Sequence, residues 1–170
     1  MFEGVPITAK DIMEFRDRIF ATQRAWQQLK APQLISFTVN MMGNVKVNEA
    51  TSRVFLQGCL AIDNWCNSTP LNIIKKQQFH HKAGFHYLVG LNHHTSDDIK
   101  QAMVNLENSL PLGRLMDIDV IAEDGKPLSR TKLGFDRRKC IVCDNSAKAC
   151  ARSQAHTPLQ LRSAVLEMFK

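Results

Sequence analysis

Gly113-Arg114-Leu115-Met116-Asp117-Ile118-Asp119-Val120-Ile121 decides how this chain is read. Apolar β-formers alternate with a second class of residue at period two, which predicts a β-strand. Met116, Ile118 and Val120 then point to one face, and Leu115, Asp117, Asp119 and Ile121 to the other. The two carboxylates stand side by side, roughly 7 Å apart along the strand. Carboxylates this close repel unless a positive charge sits between them. Mg²⁺ suits the place, because it takes hard oxygen ligands, commonly one or two carboxylates plus substrate phosphates. Gly113 allows another backbone or a ligand to approach closely, and Arg114 offers a fork for phosphate oxygens. The pattern Asp-x-Asp also occurs as two acids on a solvated strand face, and the pair by itself does not separate the two readings.

Upstream, Thr8 to Leu29 predicts a helix. Thr8 is its cap and Asp11 makes an approximate capping box. Ile12, Phe15, Ile19 and Trp26 recur at helical spacing with Met13 and Phe20 beside them, while Arg16, Arg18 and Arg24 form a solvated face. Pro32 ends that helix. Leu34–Val39 predicts a strand with Ile35, Phe37 and Val39 inward, followed by a Gly-containing loop that carries Lys46, a phosphate contact without P-loop glycine spacing. Glu49–Cys66 predicts a second helix, in which Cys59 and Cys66 serve as small buried hydrophobes. A strand from Leu71 toward Phe79 and a hairpin partner over Ala83–Leu91 follow. His80 and His81, like His93 and His94, are expected as loop histidines; neighbours on an extended chain point apart, so neither pair chelates by itself. Thr95 or Ser96 caps a third helix to about Leu106.

In order this is a helix and then β-α-β-β-α-β, the split βαβ pattern of ferredoxin-like domains. We expect an α+β chain with one antiparallel sheet, both crossover helices on one face, and Asp117 and Asp119 on the other. A single domain, 1–170, is expected, with its core at about 33–122 and a helical Cys/His-rich segment at 138–170.

Composition narrows the functional classes. Hydrophobic residues make up 44% of the chain, so disorder is not expected. No apolar run approaches the ~18 residues of a membrane helix, and the first residues lack a basic stretch followed by an apolar one, so no secretory signal is expected. Five cysteines, an odd number, point to reducing cytosol rather than a disulfide framework. The formal net charge is +6. No long Lys/Arg run points to nucleic acid, and the basic residues read as spread along the chain. An acidic protein or a phosphate-rich small molecule fits the charge at least as well.

Near the C-terminus, Cys140, Cys143, Cys150 and His156 follow the spacing Cys-x2-Cys-x6-Cys-x5-His. Three thiols and an imidazole suit tetrahedral Zn²⁺, although the second half lacks its own tight knuckle. Three partly buried thiols without metal are the alternative. Helix is expected over Asn145–Arg152 and over Pro158 to about Met168, the latter capped by Thr157.

Pro111–Val120, Leu128-Ser129-Arg130, Arg138-Lys139-Cys140-Ile141-Val142-Cys143, Ala147–Ser153 and His156 together closely resemble the apo-citrate lyase phosphoribosyl-dephospho-CoA transferase family. Pro32, Leu34–Asn40, Gly43, Lys46, Arg53, Phe55 and Gly58 also fit its pattern. The chain departs from it at Met41-Met42-Gly43-Asn44, where Gly-Pro is usual, and at Ala83-Gly84-Phe85-His86, where a Thr/Ser-Gly-Pro-Glu-like segment is usual.

The resemblance implies a nucleotidyltransferase reaction on a palm-like sheet. The implied donor is 2′-(5″-triphosphoribosyl)-3′-dephospho-CoA, and the implied acceptor a serine of the apo acyl carrier subunit of citrate lyase. Under that reading Asp117 and Asp119 hold Mg²⁺ or another divalent cation, Arg114 clamps phosphate, and Lys46, Arg130, Arg138 and Gly113 add phosphate contacts. Neither nucleic acid nor membrane is an expected partner, and the expected location is the cytoplasm. Two alternatives stay open: a related transferase serving another carrier, such as that of malonate decarboxylase, and a non-enzymatic, zinc-stapled module that docks an acidic protein.

Overall fold

A computed structural model describes residues 1–93 and 95–170 of the chain. They form two compact units, residues 1–128 and 129–170. The first unit contains α1 (Ala9–Gln28), β1 (Gln33–Val39), α2 (Glu49–Ser68), β2 (Asn72–His81), β3 (Gly84–Asn92), α3 (Ser96–Ser109) and β4 (Met116–Ile121). The second contains α4 (Ala147–Ser153) and α5 (Pro158–Glu167). The fold is α+β, with one four-stranded antiparallel sheet and five α-helices among the described residues.

The sheet order is β2-β3-β1-β4, and every neighbouring pair is antiparallel. On one face, the Phe37 ring stacks 5.6 Å from Phe55 of α2. A Cβ on Gly58 would meet that ring at 2.3 Å, so α2 reaches the sheet only because residue 58 has no side chain. On the other face, Leu34, Leu88 and Ile121 are covered by Phe15, Ile19 and Trp26 of α1. Met13 and Phe20 turn outward, contrary to the helical stripe read from sequence: they are exposed, and the buried stripe is Phe15, Ile19 and Trp26. A 3.6-residue repeat leaves them on the flank of that narrow stripe.

Local signals hold well at the helix starts. The Thr8 hydroxyl accepts from the Asp11 N–H at 3.3 Å, and the Asp11 carboxylate accepts from the Thr8 N–H at 2.9 Å. Asp11 also pairs with Lys82 at 2.7 Å. The Lys82 ammonium first, and the Thr8 N–H second, hold its carboxyl down at about 2. Asn48, Thr95 and Thr157 cap α2, α3 and α5 through their side chains.

Three expectations need correction. The strand begins at Met116 and not at Gly113: Gly113–Leu115 is a 3-10 turn. A Cβ at Gly113 would lie 2.0 Å from the Glu107 carbonyl oxygen, so the last turn of α3 occupies the space a strand residue would need. His80 and His81 are strand residues at the end of β2, not loop residues. His80 packs edge-on to Phe55 and Phe85, and His81 stacks 5.1 Å from Phe15, so the aromatic neighbours of the hairpin extend the strand past Phe79. His94 lies outside the described residues. Finally, the charge is not spread: residues 129–170 hold nine Lys/Arg and three Asp/Glu, so the whole excess of +6 falls in the second unit.

Candidate functional site

β4 lies at the edge of the sheet, and α3 covers that edge. The Ile118 N–H donates to Glu107 Oε1 at 2.9 Å, and Lys100 Nζ donates to the Ile118 carbonyl at 2.9 Å. Both side chains are buried. They satisfy backbone groups that an edge strand would otherwise leave open, and they keep β4 straight and in register with β1. Sequence reading overlooked them. The available signal was a Lys and a Glu seven residues apart on a helix whose Ile99, Met103 and Val104 are apolar and buried.

The register sets Asp117 opposite Thr38 and Asp119 opposite Ser36. Period two puts both carboxylates on the face shared by Leu34 and Ile121, opposite α2 and α3. α1 closes over the Ile121 end; Asp117 and Asp119 remain half-buried, with the Asp119 side chain 51% exposed. Lys100 Nζ lies 4.0 Å from Asp119 Oδ1.

The same face carries a polar chain that sequence reading also missed. Gln23 Nε2 donates to Ser36 Oγ at 2.9 Å, and Ser36 Oγ lies 3.1 Å from His86 Nε2. Burial pushes the His86 imidazole down to about 4, so it is neutral at pH 7. Gln23 donates to one lone pair of Ser36 Oγ, and the tautomer of His86 sets which of Oγ and Nε2 donates in the second bond. Both Ser36 and His86 are buried. They interrupt otherwise apolar strands on the Asp117 face, and that interruption was the sequence signal.

Lys46, in the loop after β1, is half-buried and donates to the Met41 carbonyl. Burial, and then the positive Arg16 of α1, lower its pKa. Arg16, expected on a solvated face, is exposed and yet acts on Lys46. Arg114 is half-buried in the 3-10 turn that leads into β4, and Gly113 backs onto Glu107. Arg130 and Arg138 belong to the second unit. Arg130 opens a 3-10 turn, and the Arg138 carbonyl accepts from the Ala147 N–H at 2.8 Å. Beside α1, an open cleft of about 400 Å³ is lined by Phe20, Gln23, Arg24, Gln27, Glu123 and Asp124, among others.

In the second unit, Cys140, Cys143, Cys150 and His156 converge. Their ligand atoms all lie within 4.8 Å of one another, a cluster of three cysteines and one histidine that can bind a metal such as zinc. Burial raises the Cys140 thiol, but N–H groups of Val142 and Cys143 and the neighbouring thiols outweigh it and lower the net value. Cys150 is pushed up to about 11, by burial first and then by its sulfur neighbours. Three sulfurs this close do not all ionise without a cation among them. By contrast, burial pushes Cys59 and Cys66 up to about 12 and 11, which makes them inert core thiols.

A sequence profile for apo-citrate lyase phosphoribosyl-dephospho-CoA transferase matches residues 7–170. The chain belongs to that family. A probable apo-citrate lyase phosphoribosyl-dephospho-CoA transferase of Vibrio cholerae serotype O1 (strain M66-2) is 38% identical over 146 residues, 86% of this chain and 82% of the relative. An apo-citrate lyase phosphoribosyl-dephospho-CoA transferase of Escherichia coli O1:K1 is 33% identical over 150 residues, 88% of this chain and 81% of the relative. Membership of this family makes the chain a transferase. No described helix is long and apolar enough to cross a membrane.

Proposed function

We propose that this chain transfers the 2′-(5″-triphosphoribosyl)-3′-dephospho-CoA group to a serine of the apo acyl carrier subunit of citrate lyase. The serine oxygen forms a bond to the α-phosphorus of the triphosphate, the bond to the bridging oxygen breaks, and diphosphate leaves. The serine proton passes to solvent or to a base. The product is a carrier joined to the prosthetic group by a phosphodiester. Family membership supports the reaction, and one structural observation supports Asp117 and Asp119 as its site: they share one face of β4, opposite Thr38 and Ser36.

Two half-buried carboxylates are the hard oxygen donors that Mg²⁺ prefers, so the donor set fits a divalent cation. Bound there, Mg²⁺ would neutralise charge on the triphosphate. Arg114 and Lys46 are the phosphate ligands of the first unit; the half-buried position of each shortens the reach through water and strengthens its field. Gly113 contributes by letting α3 pack close behind Arg114. Arg130 and Arg138 belong to a unit whose excess positive charge attracts a triphosphate and an acidic carrier from solution. The β-α-β-β-α-β order with strands β2-β3-β1-β4 supports a ferredoxin-like, palm-like scaffold, and the chain works as one transferase domain. A cytosolic setting keeps the cluster thiols reduced.

The deciding experiment incubates the chain with apo carrier, the triphosphoribosyl donor and Mg²⁺ and weighs the carrier by mass spectrometry. The expected result is a mass gain equal to the donor less diphosphate, lost in Asp117→Asn and Asp119→Asn. An unchanged carrier mass with the unmodified chain removes the activity; full transfer by both variants removes the Asp pair from it.

A further inference from the structure

We propose that Cys140, Cys143, Cys150 and His156 form a closed structural zinc site that holds residues 129–170 in their fold. Cys143 Sγ lies 3.6 Å from Cys150 Sγ and 3.3 Å from His156 Nε2. A tetrahedral Zn²⁺ with Zn–S of about 2.3 Å and Zn–N of about 2.0 Å needs sulfur–sulfur and sulfur–nitrogen edges of about 3.8 and 3.5 Å. Those two edges lie close to these lengths, and all four ligand atoms lie within 4.8 Å of one another, near enough to close around one ion. All five cysteines of the chain are free, so no disulfide competes for these sulfurs.

The backbone around the cluster is arranged to bring the ligands together. Lys139 bridges to Ser146, the Cys140 N–H donates to the Asn145 carbonyl at 2.7 Å, and the Ala147 N–H returns to the Arg138 carbonyl. This closes a tight loop that presents Cys140 and Cys143 to the same side. The Val142 N–H points at Cys140 Sγ at 3.5 Å, a donor aimed at sulfur that would carry negative charge. α4 then supplies Cys150. Gln154 stops that helix in the left-handed region, at φ 49°, and the Ala155 N–H donates to the Cys150 carbonyl at 3.1 Å. A non-glycine residue in that region needs a reason. Here the turn brings His156 back to the sulfurs before α5 starts at its Thr157 cap.

The energetics agree with the geometry. Among hydrophobic side chains, this unit buries only Cys150 and Val165. A unit this small with so little apolar burial needs a metal, a disulfide or a partner to hold it. The donor set selects the metal: thiolate-rich and tetrahedral means zinc before magnesium or calcium. Four protein ligands leave no open position, which makes the site structural and not catalytic. On binding, one Zn²⁺ replaces three thiol protons, which pass to solvent, and neutral His156 donates a lone pair. The resulting charge of −1 sits among nine basic and three acidic side chains. None of this depends on the transferase reading, because the site needs neither donor nor carrier.

Metal analysis of the full chain, purified under reducing conditions without chelator, should find about one zinc per chain. Replacing zinc by Co²⁺ should give the thiolate charge-transfer and tetrahedral ligand-field bands of a site with three sulfurs and one nitrogen. His156→Cys should keep the metal and shift those bands toward the all-sulfur pattern, whereas Cys143→Ser should lose it. Loss of metal should open residues 129–170 to protease and leave the unfolding midpoint of residues 1–128 in place. If Cys143→Ser fails to fold, the cobalt spectrum of the unmodified chain still decides. A folded chain with reactive thiols at 140, 143 and 150 and no bound zinc, before or after added zinc, overturns the site. So does a Co²⁺ spectrum without sulfur bands.

Discussion

Residues 1–128 carry thirteen basic and thirteen acidic side chains and bury nearly all of the chain's apolar core; residues 129–170 carry nine basic and three acidic ones and bury only Cys150 and Val165 among hydrophobics. The first unit is held by sheet register and by side chains packed from both faces, down to the bare Cα of Gly58 under the Phe37 ring. The second consists of turns, two short helices and a convergence of four side chains that can bind a metal. The difference separates two jobs. A neutral packed sheet can hold two carboxylates in fixed register. A basic segment cannot pack its own charges inward; the proposed zinc site would supply the hold that its packing lacks, and its positive charge is left for anions.

The largest effect should come from the core. Phe37→Ala should cost the first unit about 3–5 kcal/mol by urea unfolding, with zinc content and protection of Cys143 unchanged. If metal and stability fall together, the two units are one cooperative body and the contrast fails. Next, Asp117→Asn should lower transfer at least a thousandfold, about 4 kcal/mol of barrier, without moving the unfolding midpoint. A parallel loss of stability would make the carboxylate structural instead.

His86 gives a pH test confined to the first unit. Its folded value, about 4, lies below the ordinary 6.5, so the unfolded chain binds more protons between those values. Stability should therefore be unaffected by this group above pH 6.5 and fall as pH drops toward 4, by at most about 3 kcal/mol at 1.36 kcal/mol per pH unit. His86→Gln should remove that slope relative to the unmodified chain; an identical slope would assign it to the carboxylates. The smallest effect is at Thr8, where alanine should cost about 1 kcal/mol through the lost cap, again with thiol protection unchanged.

Much of the first unit was legible because its signals are local. Thr8 and Asp11 form their capping box from residues three apart, and in the second unit the Pro158 helix starts at Thr157 for the same reason. The Cys/His spacing was legible too, since ligand types and intervals survive without knowledge of the fold. The start of β4 was misjudged because Gly113 answers to Glu107 in another element, and His80 and His81 because their strand is prolonged by aromatic neighbours from α1, α2 and β3.

By itself the sequence determined that Asp117 and Asp119 share a face, because alternation belongs to the extended backbone and needs no partner. It also determined the order of elements and pointed to the four side chains, Cys140, Cys143, Cys150 and His156, that converge at the C-terminal end. Tertiary structure alone decided that Ser36 and His86, fifty residues apart, meet beside those carboxylates, and that Lys100 and Glu107 seal the strand that carries them. Register and packing set those meetings, and both depend on which surfaces the whole chain has to bury together.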